Sequence, residues 1–246
     1  MADSFGGFNK ELFRFLKDLD KNNSVAWFHK NYDRYQNYLV QPAKSFITEI
    51  APFLNRLNPA IRTEPKFNQT IMRLNKDMRF AKGDPYRAFL LIHFGRIKLD
   101  SEFYIYFEPA SPAGRPKSFS MGLFINRSEE EKLYFRLNQV KFRKEIIEAC
   151  KKYKISNNYS LSYLWEENEE VVSKFNAEKH FDLLSKHDLL LLEKIKNPSE
   201  KILYSDGIVI EMIKMISQLY PLYCFAISPQ PLKELRRFED NFGEVV

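Results

Sequence analysis

Two hydrophobic periods divide this chain, and the switch between them limits its fold more than any other feature. Up to about residue 58, apolar residues recur every three or four positions, the spacing of one helix face. Phe8, Leu12, Phe15, Leu16 and Leu19 make a first stripe. Val25, Phe28, Tyr32, Tyr35 and Leu39 make a second, with Asn23 or Ser24 as its N-cap. Pro42 suits the first turn of a third helix, carried by Phe46, Ile50, Phe53 and Leu57 and widened by Ile47 and Leu54. Asn58-Pro59 is its stop. From about residue 66 the period falls to two. Phe103, Ile105 and Phe107 alternate with Tyr104, Tyr106 and Glu108, and "FLLIHFGRIKL" and "SFSMGLFI" also read as strands. Between them "SPAGRPKS" is a loop or long hairpin turn.

Strands that follow one another with no helix between them favour an antiparallel sheet. Helices resume at about Ser128, where Ser128 and Glu131 form a capping box ahead of Leu133, Leu137, Val140 and Ile147. Residues 152–176 are weakly patterned. Further helices are expected over about 178–196 and 206–220, the latter with Val209, Ile213, Ile216 and Tyr220 on one face. The expectation is an α+β fold: an antiparallel sheet (about 66–126) packed with N-terminal helices (about 8–58) and C-terminal helices (about 128–227). All 246 residues are assigned to a single domain.

Charge narrows the search for a site. The net +6 is not spread along the chain. Eight basic residues fall between Lys66 and Lys98 (Lys66, Arg73, Lys76, Arg79, Lys82, Arg87, Arg96 and Lys98), against two acids, Asp77 and Asp84. That window holds the whole surplus of six; the remainder balances at 30 basic and 30 acidic residues. A local surplus indicates a local anion site, not a general polyanion-binding surface.

Read as a strand, residues 71–80 place Met72, Leu74, Met78 and Phe80 on one face, with Lys76 the exception. Arg73, Asn75, Asp77 and Arg79 fall on the other. An aspartate between two arginines on one face can orient both guanidiniums, whose flat donor fork fits carboxylate or phosphate. The turn "AKGDPYR" then brings Lys82, Tyr86 and Arg87 toward the strand's end, with Gly83 free to take unusual backbone angles and Pro85 fixing one. Arg73, Asp77, Arg79, Lys82, Tyr86 and Arg87 are therefore the candidate ligand-binding residues. The competing reading is structural: an Arg–Asp network tying strand to loop, in a protein-interaction module with no catalytic activity.

These residues also carry a family resemblance. "FLKDLDKNNSVAWFHKNYDRY", "RLNKDMRF" followed by "DPYR", and "LYPLYCF" resemble the microbial family named domain of unknown function 2461. The resemblance covers about residues 8–125 well and 205–227 more loosely. Asn22, Asn23, Trp27, Phe28 and Tyr35 match its first motif; Arg73, Asp77, Arg79, Phe80, Pro85 and Tyr86 match its second. The chain departs at Lys76, where the family has arginine, at Arg87, where it has lysine, and in a Phe80–Pro85 connection about one residue short. The resemblance implies an α+β fold and no particular reaction.

Other chemistry has little support. His29, His93, His180 and His187 lack metal-ligand spacing, so no metal is expected. There is no GxSxG, Walker motif or GxGxxG, and no cofactor is expected. Trp27 and Phe28 read as core, and His93 as a sheet residue rather than a general base. Nucleic acid is disfavoured as a partner because the basic segment contains acids and offers only Phe80 and Tyr86 as stacking rings. Cys150 and Cys224 sit in apolar-periodic stretches and read as buried free thiols, which suits a reducing, cytoplasmic location. The N-terminus has no signal-peptide pattern, and no apolar run is near the roughly 20 residues of a membrane span.

Overall fold

A computed structural model describes residues 4–97, 100–109, 119–127, 134–163 and 172–242. The N-terminal part is helical, as its stripes require. Helix α1 (Lys10–Lys21) starts at Asn9, whose side chain accepts from the Glu11 and Leu12 amides, and it buries Leu12, Phe15, Leu16 and Leu19. Helix α2 (Val25–Lys30) is capped by Ser24, not Asn23. Helix α3 (Tyr32–Tyr35) runs through a π-helical turn, Gln36–Val40, into α4 (Gln41–Leu57). The α4 face formed by Phe46, Ile47, Ile50 and Leu54 is fully buried.

Five strands form one antiparallel sheet: β1 (Leu90–Phe94), β2 (Glu102–Phe107), β3 (Phe119–Asn126), β4 (Tyr159–Tyr163) and β5 (Leu189–Lys194), in the order β1-β2-β3-β5-β4. In β3–β5 Gly122 lies opposite Glu193, and in β4–β5 Leu161 lies opposite Leu192. The remaining helices are α5 (Phe135–Lys141), α6 (Arg143–Lys152), α7 (Ala177–His180), α8 (Glu200–Leu203), α9 (Gly207–Ile227) and α10 (Pro231–Phe242). The fold is α+β with an antiparallel sheet, as the change of period implies.

Residue contacts divide the chain into two compact units. The first comprises Met1–Phe94, Ile105–Ser120 and Pro198–Glu211. Its core joins the N-terminal helices to the sheet through rings: Phe8 meets Phe46 at 5.4 Å and Phe107 at 4.6 Å between centroids. The second comprises Gly95–Tyr104, Met121–Asn197 and Met212–Val246. There Phe103 packs on Tyr223 at 4.7 Å, and Tyr220 on Phe238 at 5.1 Å.

Several local expectations are corrected. The helix expected over 178–196 is instead α7, a 3-10 turn (Phe181–Ser185) and strand β5. Four successive leucines have no period to read, because β5 lies between β3 and β4 in the sheet interior. Strand β4 lies in the stretch 152–176, expected to be weakly patterned, although Tyr159, Leu161 and Tyr163 are buried in strict alternation with Ser160 and Ser162. Leu137 and Val140 are exposed; α5 turns Phe135, Asn138 and Gln139 inward. The inward polar face is satisfied, since the Asn138 amide donates to the Phe225 and Ser228 carbonyls, each at 2.8 Å. Ser128, Glu131, Leu133 and "SPAGRPKS" lie outside the described residues.

Both cysteines are buried and free, and burial pushes the Cys150 thiol up to about 12. Helix α9 is long and apolar enough to cross a membrane by length and composition. However, 72% of its apolar window is buried inside the protein, as in a core helix.

Candidate functional site

Residues 71–80 do not form a strand. Ile71 bridges to Ile92 and Asn75 to Tyr86, and a turn follows over 77–80. The backbone forms an irregular hairpin: the Lys76 N–H donates to Pro85 O at 2.9 Å and the Arg87 N–H to Leu74 O at 2.7 Å. Alternation of burial holds over 72–76, where Leu74 is buried, Met72 and Lys76 are half-buried and Arg73 and Asn75 are exposed; Ile71, of the same parity as Arg73, is buried and breaks it. It fails at the tip, where Met78 and Phe80, expected as anchors, face solvent; Phe80 is 86% exposed. The cause is Asp77, whose Oδ1 accepts the Arg79 N–H at 3.1 Å and whose carbonyl accepts from the Phe80 and Ala81 amides. An aspartate that caps the backbone two residues on makes a turn, not an extended run.

The hairpin is held in place by the helical motif of the same unit. The Asn23 side chain makes two hydrogen bonds to the Tyr86 backbone, donating to its carbonyl at 2.9 Å and accepting from its N–H at 3.1 Å. The Tyr86 ring is buried and stacks on Phe28, with centroids 4.2 Å apart and planes 12° apart. Phe28 packs in turn on Tyr35 at 5.0 Å. The two motifs that carry the family resemblance, more than 60 residues apart, thus meet at one place. Asn23→Ala should destabilise the protein by about 1–3 kcal/mol, because two part-buried backbone groups lose their partner. At 2–4 °C per kcal/mol for a chain of this size, the expected loss in Tm is roughly 2–12 °C by thermal unfolding.

The six candidates separate into roles. Tyr86 is a buried anchor whose hydroxyl is pushed up by desolvation. Arg87 Nη1 donates to the carbonyls of Arg73 (3.3 Å) and Asn75 (2.9 Å), locking the hairpin's base. Asp77 and Arg79 form an exposed two-point pair, Nε to Oδ1 at 2.9 Å and Nη2 to Oδ2 at 2.7 Å. The hydrogen bonds from the Arg79 side chain and backbone hold the Asp77 carboxyl below the usual carboxylate range. This pair is not a buried tie, so it gives the structural reading little support.

Arg73 and Lys82 are exposed and have no carboxylate partner among the described residues. Arg73 lies at the base, where its charge acts on the Tyr35 hydroxyl. Burial and the neighbouring Tyr32 raise that hydroxyl well above the ordinary phenol range, and Arg73 pulls it the other way. The expected single face of two arginines and an aspartate thus becomes a base group, Arg73 with Arg87, and a tip group, Asp77 with Arg79 and Lys82. Among the described residues no cluster of three or more metal-ligating side chains occurs. His93 sits in β1 with its backbone N–H donating to Thr70 O at 3.0 Å.

Sequence reasoning missed Asn23 as the tether. Asn23 is expected as a helix cap and as part of the first family motif; the signal for a further role is that Ser24, beside it, fills the cap. No curated protein and no solved structure matches the chain significantly. The model of a family of conserved hypothetical proteins, DUF2461, matches residues 11–225, and the chain belongs to that family.

Proposed function

We propose that the protein binds a small anionic ligand, bearing phosphate or carboxylate, on the hairpin of residues 73–87. The observation that carries this reading is charge left without an internal partner on a fixed backbone. Of Arg73, Lys76, Arg79, Lys82 and Arg87, only Arg79 is paired with a carboxylate among the described residues. The hairpin that carries these groups is tethered by Asn23, Phe28 and Arg87. The backbone that carries these cations is already ordered, so binding orders only their side chains, which favours affinity. Arg73 supplies the flat donor fork, Lys82 a movable point charge, and Asp77 orients Arg79. A cytoplasmic setting fits the free buried cysteines.

Titration calorimetry with inorganic phosphate and citrate, at fixed ionic strength, tests the reading. Arg73→Ala/Lys82→Ala should weaken binding at this site at least tenfold while leaving the ligand-free Tm unchanged, because both side chains are at the surface. Binding that the double substitution leaves intact would overturn it.

A second reading rests on Phe80 and Met78, exposed at the tip beside Arg79, whose guanidinium lies 5.5 Å from the Phe80 ring centroid. An exposed aromatic beside arginine is common in the centre of protein interfaces. On that reading the hairpin tip is a protein-docking element without catalysis.

A further inference from the structure

We propose that the second unit holds another anion site, centred on Arg127 and separate from the hairpin. Arg127 follows directly on β3 and is only 6% exposed. Its backbone N–H donates to Asp188 O at 2.6 Å, and its Nη1 donates to His187 O at 2.7 Å. Among the described residues no carboxylate hydrogen-bonds to its guanidinium; the Asp188 carboxylate is engaged by Arg136 of α5. Among the described residues the buried Nε has no partner, and Nη2 makes no hydrogen bond. The Nε–Nη2 edge is the one that receives two oxygens of a carboxylate or phosphate side by side. Here that edge belongs to a buried cation and has no acceptor among the described residues.

A buried guanidinium without an anion is costly, because desolvation is not offset by pairing. The surroundings increase that cost. Burial and the neighbouring Arg136 both draw the Arg127 guanidinium below its ordinary range, and Asp188 only partly opposes them. A small oxyanion on that edge would accept from Nε and Nη2 and offset the charge.

The neighbouring Arg136 and Asp188 side chains are part-exposed, at 38% and 50%. One turn along α5 from Arg136, Gln139 is buried, with an amide donating weakly to Ser185 Oγ at 3.5 Å and Oε1 without a partner. A protonated ligand oxygen or a bound water could donate to it. The ligand class is a small mono- or dianion with two coplanar oxygens, a carboxylate or a phosphate group.

The test uses the full chain carrying Arg73→Ala/Lys82→Ala, so that the hairpin site is already removed, with orthophosphate and acetate as separate probes against sodium chloride at equal ionic strength. One probe should raise Tm by about 3–6 °C at ten times its Kd. Adding Arg127→Met, which fills the same volume without charge, should abolish that rise. If Arg127→Met does not fold, Arg127→Lys replaces it; it keeps the charge but loses the fork, and should weaken binding at least tenfold. The proposal is overturned if neither probe raises Tm in the hairpin variant, or if the rise survives in the Arg127 variant. Failure of the hairpin reading looks different, because there Arg73→Ala/Lys82→Ala leaves the calorimetric stoichiometry unchanged.

Discussion

Replacing Arg96 with methionine will destabilise the protein by about 3–5 kcal/mol, the range for removing one partner of a buried ion pair. Asp100 is the reason. Its side chain is 1% exposed, and Arg96 contacts both of its oxygens, Nε to Oδ2 at 2.7 Å and Nη2 to Oδ1 at 3.2 Å. The third arm of the guanidinium, Nη1, donates to Ile227 O at 2.8 Å, satisfying the last carbonyl of α9 where a cation also complements the helix dipole. Methionine fills part of the space but leaves a carboxylate buried without a counter-ion and a helix end without its donor. At 2–4 °C per kcal/mol, the loss in Tm is roughly 6–20 °C. Adding Asp100→Leu to Arg96→Met should recover a large part of this, since the double variant no longer buries a lone charge. A single variant as stable as the wild type, or a double variant no better than the single, would show that water solvates Asp100.

Arg96 belongs to the same basic window as the hairpin, so a count of charges alone could not tell their roles apart. The surplus between Lys66 and Lys98 identified a region. Which of its cations are spent internally depends on partners distant in sequence, such as Ile227 for Arg96, and on the Asx turn that pairs Asp77 with Arg79. Parity along 71–80 was legible over 72–76, and was lost where Asp77 bends the backbone. The first and third N-terminal stripes were legible because each is buried along one helix face, whereas in the second Phe28, Tyr35 and Leu39 are buried but Val25 and Tyr32 are exposed. The C-terminal half was less so, because β5 is buried from both sides and reads as an unbroken apolar run. The family match nonetheless extends through that half, to residue 225.

The hairpin and the Arg127 cluster differ in how a sequence could reveal them. The hairpin shows itself as dense charge with a turn. Arg127 is a single arginine at a strand end, and only its burial and the lack of an acceptor for its Nε among the described residues distinguish it. Both follow from the same accounting: each cation is assigned its acceptors, and those left over indicate where an anion could bind.

Gly122→Ala should have an effect comparable to the loss of Arg96, by a purely steric route. Gly122 lies in β3 opposite Glu193 of β5, between the fully buried Met121 and Leu123. A Cβ at that position would stand 2.0 Å from Leu192 O and 3.1 Å from Glu193 Cα. Real Cβ atoms essentially never come within 3.0 Å, and here the obstacle is backbone, which cannot swing aside as a side chain can. The two strands must therefore separate. Because β5 also pairs with β4, with Leu192 opposite Leu161, the displacement strains both ladders. Overpacking of a core costs about 1–3 kcal/mol, and each weakened ladder hydrogen bond adds about 1 kcal/mol. The entropy that alanine removes from the unfolded chain returns at most about 1 kcal/mol, so the sign is settled. A loss of about 4 kcal/mol, or roughly 8–16 °C in Tm, is the expected reading from denaturant and thermal unfolding. Gly83→Ala serves as the comparison: it has the strained φ of +83° but nothing within 4 Å of the added carbon, so only backbone strain of about 1–2 kcal/mol applies. If the two variants lose equal stability, the close approach of Leu192 is not what requires glycine at position 122.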